Sequence, residues 1–282
     1  MPFQKREPPQ TEPIRFFFIF FETDGWFGRY RHMEWKNIIE SIVTGGLHFL
    51  FVPRCLACNA LLAPTADATA VSNCFCSLCS NSLIPVADPR CSQCGELFHS
   101  GLQNHRCCAC LTDPPDFVSL HAPFEYGGAL ADALRKFKYS NATYMAPRLA
   151  ALLRMLSLPT ADAVVPIPLH ARRLRTRGYN QSALLAQSLA AQIQCAYLPL
   201  SLRRQHTVDV QVGKKKAERI QNMKNAFAIV DPKHRLSGRT VLLVDDVVTT
   251  TATVRAAAAA LRHQANVSQI HVVCIGRTVS NT

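Results

Sequence analysis

The chain has 282 residues, of which 48% are hydrophobic, which is enough for one large globular domain and a smaller one and excludes a mainly disordered protein. Its net charge of +12 is uneven, because residues 120–282 carry 22 Lys and Arg against 8 Asp and Glu, whereas residues 1–119 carry 9 against 11. The basic region suits a polyanionic ligand or nucleic acid, or it forms no more than a solvated surface.

Two segments precede the first cysteine pair. Residues 1–32 mix proline, charges and a Phe-rich run without regular periodicity, and we expect them to form a poorly ordered extension. The Phe-rich run at 16–21 is too short to span a bilayer and lacks a small-residue cleavage pattern, so we expect a cytoplasmic protein with no membrane span. Residues 33–53 carry apolar side chains at helical spacing, which predicts an amphipathic helix.

Eight cysteines form four Cys-x-x-Cys pairs between positions 55 and 110. In a chain without an export signal this pattern favours metal over disulfides, and two such pairs place four thiolates about 2.3 Å from a tetrahedral Zn²⁺. We therefore predict a zinc-binding domain over residues 54–112 with two structural zinc ions. One ion would be held by Cys55, Cys58, Cys76 and Cys79, and the other by Cys91, Cys94, Cys107 and Cys110. Crossed pairing, replacement of a ligand by Cys74 or Cys108, and a buried or redox role for the thiols stay open.

A Pro-rich linker at 113–116 precedes a second predicted domain over residues 117–282. The predicted strands cover 117–124, 163–167, 227–230, 241–244 and 267–275. The predicted helices cover 129–139, 147–156, 182–193 and 255–261. Strands that alternate with helices favour an α/β fold with a parallel sheet covered on both faces. We interpret residues 168–181 as a basic loop and residues 203–227 as a mobile hood.

The most informative stretch follows the apolar strand at 241–244. Two adjacent carboxylates, Asp245 and Asp246, end the strand, and four threonines lie between positions 249 and 253 before an alanine-rich helix. Unpaired N–H groups at the start of a helix bind phosphate, and threonine hydroxyls would add donors. Carboxylates at the carboxyl end of a strand can hold sugar hydroxyls or a divalent cation. An Asp-Asp turn that only caps a helix would give a similar pattern.

This stretch resembles the 5-phosphoribosyl-1-pyrophosphate (PRPP) binding motif of type I phosphoribosyltransferases. That motif has four apolar residues, two acids and a Thr/Ser-rich loop that contains Gly. Where it usually has Gly, this chain has Thr251, a β-branched residue that is poorly suited to positive φ or to close approach of the backbone to phosphate.

Further blocks resemble the ComF family, which is competence-associated and also called GntX-like. Residues 165–181, VPIPLHARRLRTRGYNQ, are similar to that family's VPxPLHxRRLxxRGxNQ signature. Residues 207–227 have its T-x3-Q-x-G-x4-ER-x2-N-x3-AF spacing, and the cysteine pairs resemble its double zinc-binding region. The resemblance covers residues 38–277. It implies a type I phosphoribosyltransferase-like fold preceded by a small cysteine-rich zinc-binding domain.

The resemblance also implies a function. The protein would be a glycosyltransferase of the phosphoribosyltransferase type that binds PRPP with Mg²⁺, and it would be associated with competence and with DNA uptake or utilisation. The catalytic residues would be Asp245, Asp246, Arg172 and Arg173, with the acids on ribose hydroxyls or the metal and the arginines on the pyrophosphate. The PRPP contacts would come from Thr249, Thr250, Thr251, Ala252 and Thr253 around the 5-phosphate, and from Lys214, Lys216 and Arg219 in the hood.

The acceptor is not implied, and two other functions stay open. A non-catalytic regulator that binds PRPP or a nucleotide would use the same loop, and Thr251 favours it. A DNA-binding adaptor in natural transformation would use the zinc-binding region and the basic residues 120–282 to contact the phosphates of single-stranded DNA, or would contact DNA-uptake proteins. Purine-salvage enzymes carry an acid where this chain has Thr249, so a 6-oxopurine acceptor is disfavoured.

Overall fold

Strands and helices alternate along the chain in the computed structural model, which describes residues 53–62, 69–98, 103–205, 226–231 and 234–278. In chain order the strands are β1 (Ser119–His121), β2 (Phe124–Glu125), β3 (Ala163–Pro166), β4 (Ala196–Tyr197), β5 (Leu202–Arg204), β6 (Phe227–Ile229), β7 (Thr240–Val244), β8 (Val247–Val248), β9 (Gln269–Val273) and β10 (Gly276–Arg277). The helices are α1 (Ser77–Asn81), α2 (Cys108–Thr112), α3 (Gly128–Tyr139), α4 (Ala146–Leu153), α5 (Ala171–Arg177), α6 (Gln181–Gln192) and α7 (Ala252–Ala265), with a 3-10 turn at Thr143–Met145 before α4.

Five parallel strands form the main sheet of the described residues, in the order β1-β9-β7-β3-β4. The register pairs Val244 with both Pro166 and Val273, so three strands end at the same edge. Four consecutive residues of β7 are buried, as expected for a parallel strand with helices on both faces. Asp245 follows β7 directly and therefore lies at the carboxyl edge of the sheet.

A second parallel sheet, β2-β10-β8, continues the chain beyond this edge. Two residues separate each of its strands from the strand of the main sheet that precedes it. For β7 and β8 those two residues are Asp245 and Asp246, called the acid pair below. Hydrogen-bonded strands on both sides therefore fix the backbone of the acid pair. A separate antiparallel pair joins β5 to β6.

Helices cover both faces of the main sheet. Helices α3, α4 and α6 cover one face, where Leu134, Leu149 and Leu185 pack in the same core as Leu242 of β7. Helix α7 covers the other face with a run of alanines that pack in the same core as Leu243. The predicted α/β fold, with a parallel sheet between two layers of helices, is confirmed.

Residues 168–181, which we predicted as a loop, contain the short helix α5. At the start of α5, the Arg172 N–H donates to Nδ1 of His170 at 3.2 Å. At its end, Gly178 terminates the helix with φ of 78°. A helix of seven mostly basic residues has no apolar face, so hydrophobic periodicity could not reveal it. The Gly at its end was the available signal.

The cysteine-rich residues pack directly against the rest of the fold. Cys55 and Phe75 share a core with α3 and α4, and Cys91 and Cys94 share a core with Leu120 of β1. Phe51–Thr282 forms one compact unit, and the predicted domain boundary at 113–116 stays a prediction. The predicted extension over 1–32 and, apart from Pro53, the predicted helix over 33–53 lie outside the described residues.

None of the helices in the described part of the chain has the length and apolar character needed to cross a bilayer.

Candidate functional site

Backbone and side-chain hydrogen bonds hold the acid pair at the carboxyl edge. The Asp245 N–H donates to the Val273 carbonyl at 3.0 Å. Its Oδ1 accepts from the Ser182 hydroxyl at 2.8 Å and from the Asp246 N–H at 2.9 Å. Oδ1 of Asp246 accepts from the Val247 N–H at 2.8 Å. Since Ser182 is the second residue of α6, the pair is tied to a strand on one side and to a helix N-terminus on the other.

The electrostatic environment of the acid pair favours a cation. Burial, and next the adjacent Asp246 carboxylate, raise the pKa of Asp245 to about 7, while the Ser182 hydroxyl and Lys138 act in the opposite direction. Nζ of Lys138, near the end of α3, lies 2.7 Å from Oδ2 of Asp246. Two carboxylates, one buried and one half-buried, face only one ammonium, which leaves the pair with excess negative charge that a metal ion or a hydroxyl donor would stabilise.

A cavity of about 280 Å³ opens on the acid pair and is called the site cavity below. Its charged and hydroxyl-bearing lining residues are Tyr126, Lys138, Arg173, Arg177, Ser182, Arg204, Asp245, Asp246, Thr249 and Thr253. The lining of the cavity therefore combines two acidic side chains with cationic and hydroxyl groups. A ligand that combines a polyol with several phosphates matches this distribution of charge.

Aromatic contacts orient two of the arginines in the site cavity. Nη2 of Arg177 donates to the Tyr139 hydroxyl at 2.9 Å, and its guanidinium lies 4.9 Å from the centre of that ring. The Arg204 guanidinium lies 5.5 Å from the ring centre of Phe227, across the β5-β6 pair. Burial, and next the charge of Arg173, lower the pKa of Arg204. Arginine keeps its charge in proteins, so a bound anion would stabilise this cluster of cations.

The threonine loop, residues 249–253, divides between two cavities. Thr249 and Thr253 line the site cavity. Thr250, Thr251 and Ala252 line a second cavity of about 420 Å³, together with residues 113–116 and the first turns of α7. Two of the four threonines therefore line the same cavity as the acid pair.

Thr251 occupies an ordinary backbone conformation. Its φ of −75° and ψ of 0° lie in the right-handed region, directly before α7 begins at Ala252. The position that carries Gly in the resembled motif therefore requires no positive φ in this chain, and a β-branched residue causes no backbone strain there.

Of the other predicted site residues, one lines the site cavity, one is exposed outside it, and three lie outside the described residues. Arg173 lines the site cavity, whereas Arg172 is exposed on α5 and is absent from the cavity lining among the described residues. Lys214, Lys216 and Arg219 lie outside the described residues. Their predicted contacts with PRPP stay predictions.

Four residues that line the site cavity were not predicted from the sequence, namely Lys138, Arg177, Ser182 and Arg204. A signal existed for Ser182, because a helix that follows a parallel strand begins at the carboxyl edge, where Asp245 lies. No local pattern marked Lys138 or Arg204, since their approach to the acid pair depends on how distant elements pack.

The eight predicted metal ligands come together in the two predicted sets. The first cluster contains Cys55, Cys58, Cys76 and Cys79, and the second cluster contains Cys91, Cys94, Cys107 and Cys110. The Sγ atoms of Cys58 and Cys76 are 3.6 Å apart, and those of Cys94 and Cys107 are 3.7 Å apart. Four sulfurs about 2.3 Å from a tetrahedral zinc ion would be about 3.8 Å apart, so the geometry fits Zn²⁺.

Backbone groups at the two clusters favour the binding of a cation. Burial alone would raise the pKa of Cys91, but hydrogen bonds from the N–H groups of Cys107, Cys94 and Gln93 lower it to about 6. The turn after the first pair of each cluster has positive φ, 70° at Asn59 and 69° at Gly95. Cys74 and Cys108 lie outside both clusters. A thiolate that is stabilised before metal arrives is typical of a zinc knuckle.

A known domain and two solved structures are similar to parts of this chain. The sequence profile of the phosphoribosyl transferase domain matches residues 179–278. A solved structure described as the allosteric regulatory enzyme of purine biosynthesis aligns with a TM-score of 0.35 and 22% identity, covering 47% of this chain and 25% of that one. The glutamine PRPP amidotransferase from B. subtilis aligns with a TM-score of 0.34 and 22% identity, covering 48% of this chain and 26% of that one. The chain thus matches only about a quarter of the length of these two proteins.

Curated relatives match most of the chain and most of their own length. Competence protein F of Haemophilus influenzae is 30% identical over 232 residues, which are 79% of this chain and 96% of the relative. The DNA utilization protein YhgH of Escherichia coli K12 is 33% identical over 214 residues, and that of Salmonella typhi is 32% identical over 213 residues. Both alignments cover 73% of this chain and 91% of the relative. The chain therefore belongs to the ComF family, with a phosphoribosyltransferase domain that follows its cysteine clusters in the sequence.

Proposed function

We propose that the protein binds PRPP with Mg²⁺ in the site cavity and transfers its phosphoribose to a nitrogen acceptor. The observation that carries this proposal is the site cavity itself, in which the acid pair, two threonines of the threonine loop and three arginines face one space. The relatives are named for competence and for DNA utilization, and we propose a role of that kind for this chain.

The residues would divide the ligand among them. Asp245 and Asp246 would hold the ribose hydroxyls or the metal, since both carboxylates lie at the cavity wall and carry excess negative charge. Thr249, Thr253 and the free N–H groups at the start of α7 would bind the 5-phosphate. The arginines would bind the pyrophosphate, because a planar guanidinium contacts phosphate through two parallel hydrogen bonds.

The reaction would break the bond between C1 of the ribose and the pyrophosphate oxygen. The pyrophosphate leaves with the bonding electrons, and the acceptor nitrogen forms the new bond to C1 and loses its proton to solvent. Negative charge grows on the leaving group, so Arg173, Arg177 and Arg204 would stabilise the transition state most directly. Bound Mg²⁺ would add charge neutralisation at the phosphates. Arg172 and the hood residues Lys214, Lys216 and Arg219 would complete the enclosure and exclude water.

The two cysteine clusters would hold structural zinc ions. Each cluster is a set of four thiols with the sulfur spacing that tetrahedral zinc requires, so neither leaves a ligand position for chemistry.

Titration calorimetry of PRPP into the zinc-loaded chain, with and without Mg²⁺, tests the binding proposal. We expect Mg²⁺-dependent binding that the double variant Asp245→Asn/Asp246→Asn loses. Asp162→Asn is the matched control, because Asp162 caps Thr240 at the opposite end of the sheet. Unchanged binding in the double variant would place PRPP elsewhere and contradict the proposal.

Pyrophosphate release separates an enzyme from a regulator that binds the same ligand. We expect Mg²⁺-dependent release from PRPP when a suitable nucleobase or amine is present. Tight binding with no release from any acceptor would instead support the non-catalytic regulator.

A further inference from the structure

A partly buried ion pair joins the turn after the first pair of the second cysteine cluster to β10. Glu96 lies two residues after Cys94, and its Oε2 is 2.7 Å from Nη2 of Arg277 in β10. The side chain of Arg277 is 4% exposed and that of Glu96 is 28% exposed. An ion pair in such a position is costly to break, because the remaining charge stays buried without a partner.

The same guanidinium holds the backbone that leads into the threonine loop. Nη1 of Arg277 donates to the carbonyls of Val248, at 3.2 Å, of Thr249, and of Thr278, at 2.8 Å. Val248 ends β8, immediately after the acid pair, and Thr249 begins the threonine loop. One arginine side chain therefore connects the second cluster to the chain between the acid pair and α7.

Two further contacts join the second cluster to the same part of the fold. Asp113, three residues after Cys110, accepts from Nη2 of Arg255 in the first turn of α7, through both its carboxylate and its carbonyl. Gln93, inside the Cys91–Cys94 turn, is buried and donates to the carbonyls of Pro115 and Phe117 at 3.3 and 2.9 Å. The threonine loop is thus held from the second cluster at both of its ends.

The first cluster makes its contacts elsewhere. Lys136 of α3 donates to the carbonyl of Ala57, which lies between Cys55 and Cys58. Arg148 of α4 donates to the carbonyls of Asn73 and Arg54. These contacts anchor α3 and α4 and not the threonine loop. Variants of one cluster can therefore serve as controls for variants of the other.

We propose that Glu96 and Arg277 are positioning residues through which metal binding at the second cluster sets the conformation of the threonine loop. The metal fixes the Cys91–Cys94 turn and with it the Glu96 carboxylate. When that carboxylate is lost, Arg277 has a buried charge without its partner, and the carbonyls of Val248 and Thr249 lose a fixed donor. Because such coupling is reciprocal, a ligand of the threonine loop must also stabilise the metal in the second cluster. The part of this proposal that concerns PRPP rests on the proposed function.

Hydrogen–deuterium exchange of the zinc-loaded chain tests the positioning role without any ligand. We expect Glu96→Gln to speed exchange in peptides that cover residues 247–256 by at least about threefold, with the zinc content unchanged. Asp162→Asn, which removes an acid from the Arg239 pair at the other end of the sheet, should leave those peptides unchanged. Equal exchange of the threonine loop in wild type and Glu96→Gln would overturn the proposal.

Zinc release to a chromogenic chelator tests the reciprocal effect. We expect PRPP to slow the release of one of two zinc ions in the wild type and to lose this effect in Glu96→Gln, whose PRPP affinity should be roughly tenfold weaker. Equal protection by PRPP in both proteins would refute the coupling. If the wild type binds no PRPP, the proposed function fails, while the exchange experiment still decides the positioning role.

Three more variants guard against simple loss of folding. Arg277→Lys keeps the charge beside Glu96 but loses the forked donors, so it should loosen the threonine loop while the zinc content stays constant. Cys91→Ser/Cys94→Ser should raise exchange in the threonine loop, whereas Cys55→Ser/Cys58→Ser should raise it in α3 and α4. If both cysteine variants loosen the threonine loop equally, the second cluster has no special role and the proposal is wrong.

Discussion

Lys138 forms the ion pair that partly neutralises the acid pair, with its Nζ 2.7 Å from Oδ2 of Asp246. Both side chains are largely buried, so solvent screens the interaction only weakly. We expect Lys138→Met, which keeps most of the length of the side chain but removes its charge, to lower the free energy of unfolding by about 1–3 kcal/mol. Urea unfolding of the zinc-loaded chain measures this change.

A matched control for Lys138 lies on the same helix. Arg135 pairs with Asp132 three residues earlier, and both side chains are more than half exposed. Such surface pairs contribute less than about 1 kcal/mol, so Arg135→Met should be nearly neutral. If the two variants lose equal stability, the ion pair to Asp246 has no special energetic role.

The raised pKa of Asp245 predicts a pH-dependent cost in stability. An unfolded chain releases the Asp245 proton near pH 4, whereas the folded chain keeps it up to about pH 7. The stability that this group contributes is therefore complete below about pH 4 and is lost as the pH rises to 7. Asp245→Asn should remove the loss, so its stability relative to wild type should rise between pH 5 and 7, by at most about 1.4 kcal/mol per pH unit, and level off above 8.

Urea unfolding at several pH values measures the effect for Asp245→Asn. The metal clusters also respond to pH, but they do so in both proteins and cancel in the difference. A difference that is constant from pH 5 to 8 would mean that Asp245 titrates near its ordinary pKa.

We predict that Gly178 contributes to the stability of the fold only through its backbone conformation. It ends α5 with φ of 78°, and a Cβ atom there would meet nothing within 4 Å. Gly178→Ala should therefore lower the free energy of unfolding by about 1 kcal/mol without any steric clash. Loosening of α5 should also weaken PRPP binding, because Arg173 and Arg177 lie on this helix.

Gly127 provides the control for Gly178. It precedes α3 with an extended φ of −178°, and a Cβ atom there would likewise meet nothing within 4 Å. Gly127→Ala should be neutral or slightly stabilising in the same thermal or urea unfolding experiment. A cost at Gly127 equal to that at Gly178 would show that φ is not the cause.

Two adjacent arginines on β5 test whether PRPP binding depends on a specific contact in the site cavity or only on the basic charge of the protein. Arg204 lines the site cavity and lies against Phe227, whereas Arg203 is exposed. We expect Arg204→Gln to weaken PRPP binding by roughly tenfold or more and Arg203→Gln to change it less than about twofold. Calorimetric titration at two salt concentrations measures both, and equal losses would indicate only a diffuse electrostatic effect.

The features that sequence analysis predicted correctly are local in the chain. The acid pair follows its strand directly, and each cysteine turn spans four residues, so spacing alone carried the information. The contacts that were missed join distant residues: 63 positions separate Ser182 from Asp245, and 181 separate Glu96 from Arg277. Their meeting depends on the order of strands in the sheet and on how the cysteine-rich residues pack against it, which no local pattern encodes.

The alanines of α7 have a consequence for how the site receives a ligand. Ala257 and Ala258 are fully buried against the sheet, and alanine has no rotamers to exchange. The face of α7 that packs on the sheet therefore cannot adapt by repacking side chains, and a shift of the start of α7 would have to move the whole helix. A phosphate group should meet a rigid, preorganised surface there, so variants that alter this surface should act mainly on the dissociation rate of the ligand rather than on its association rate.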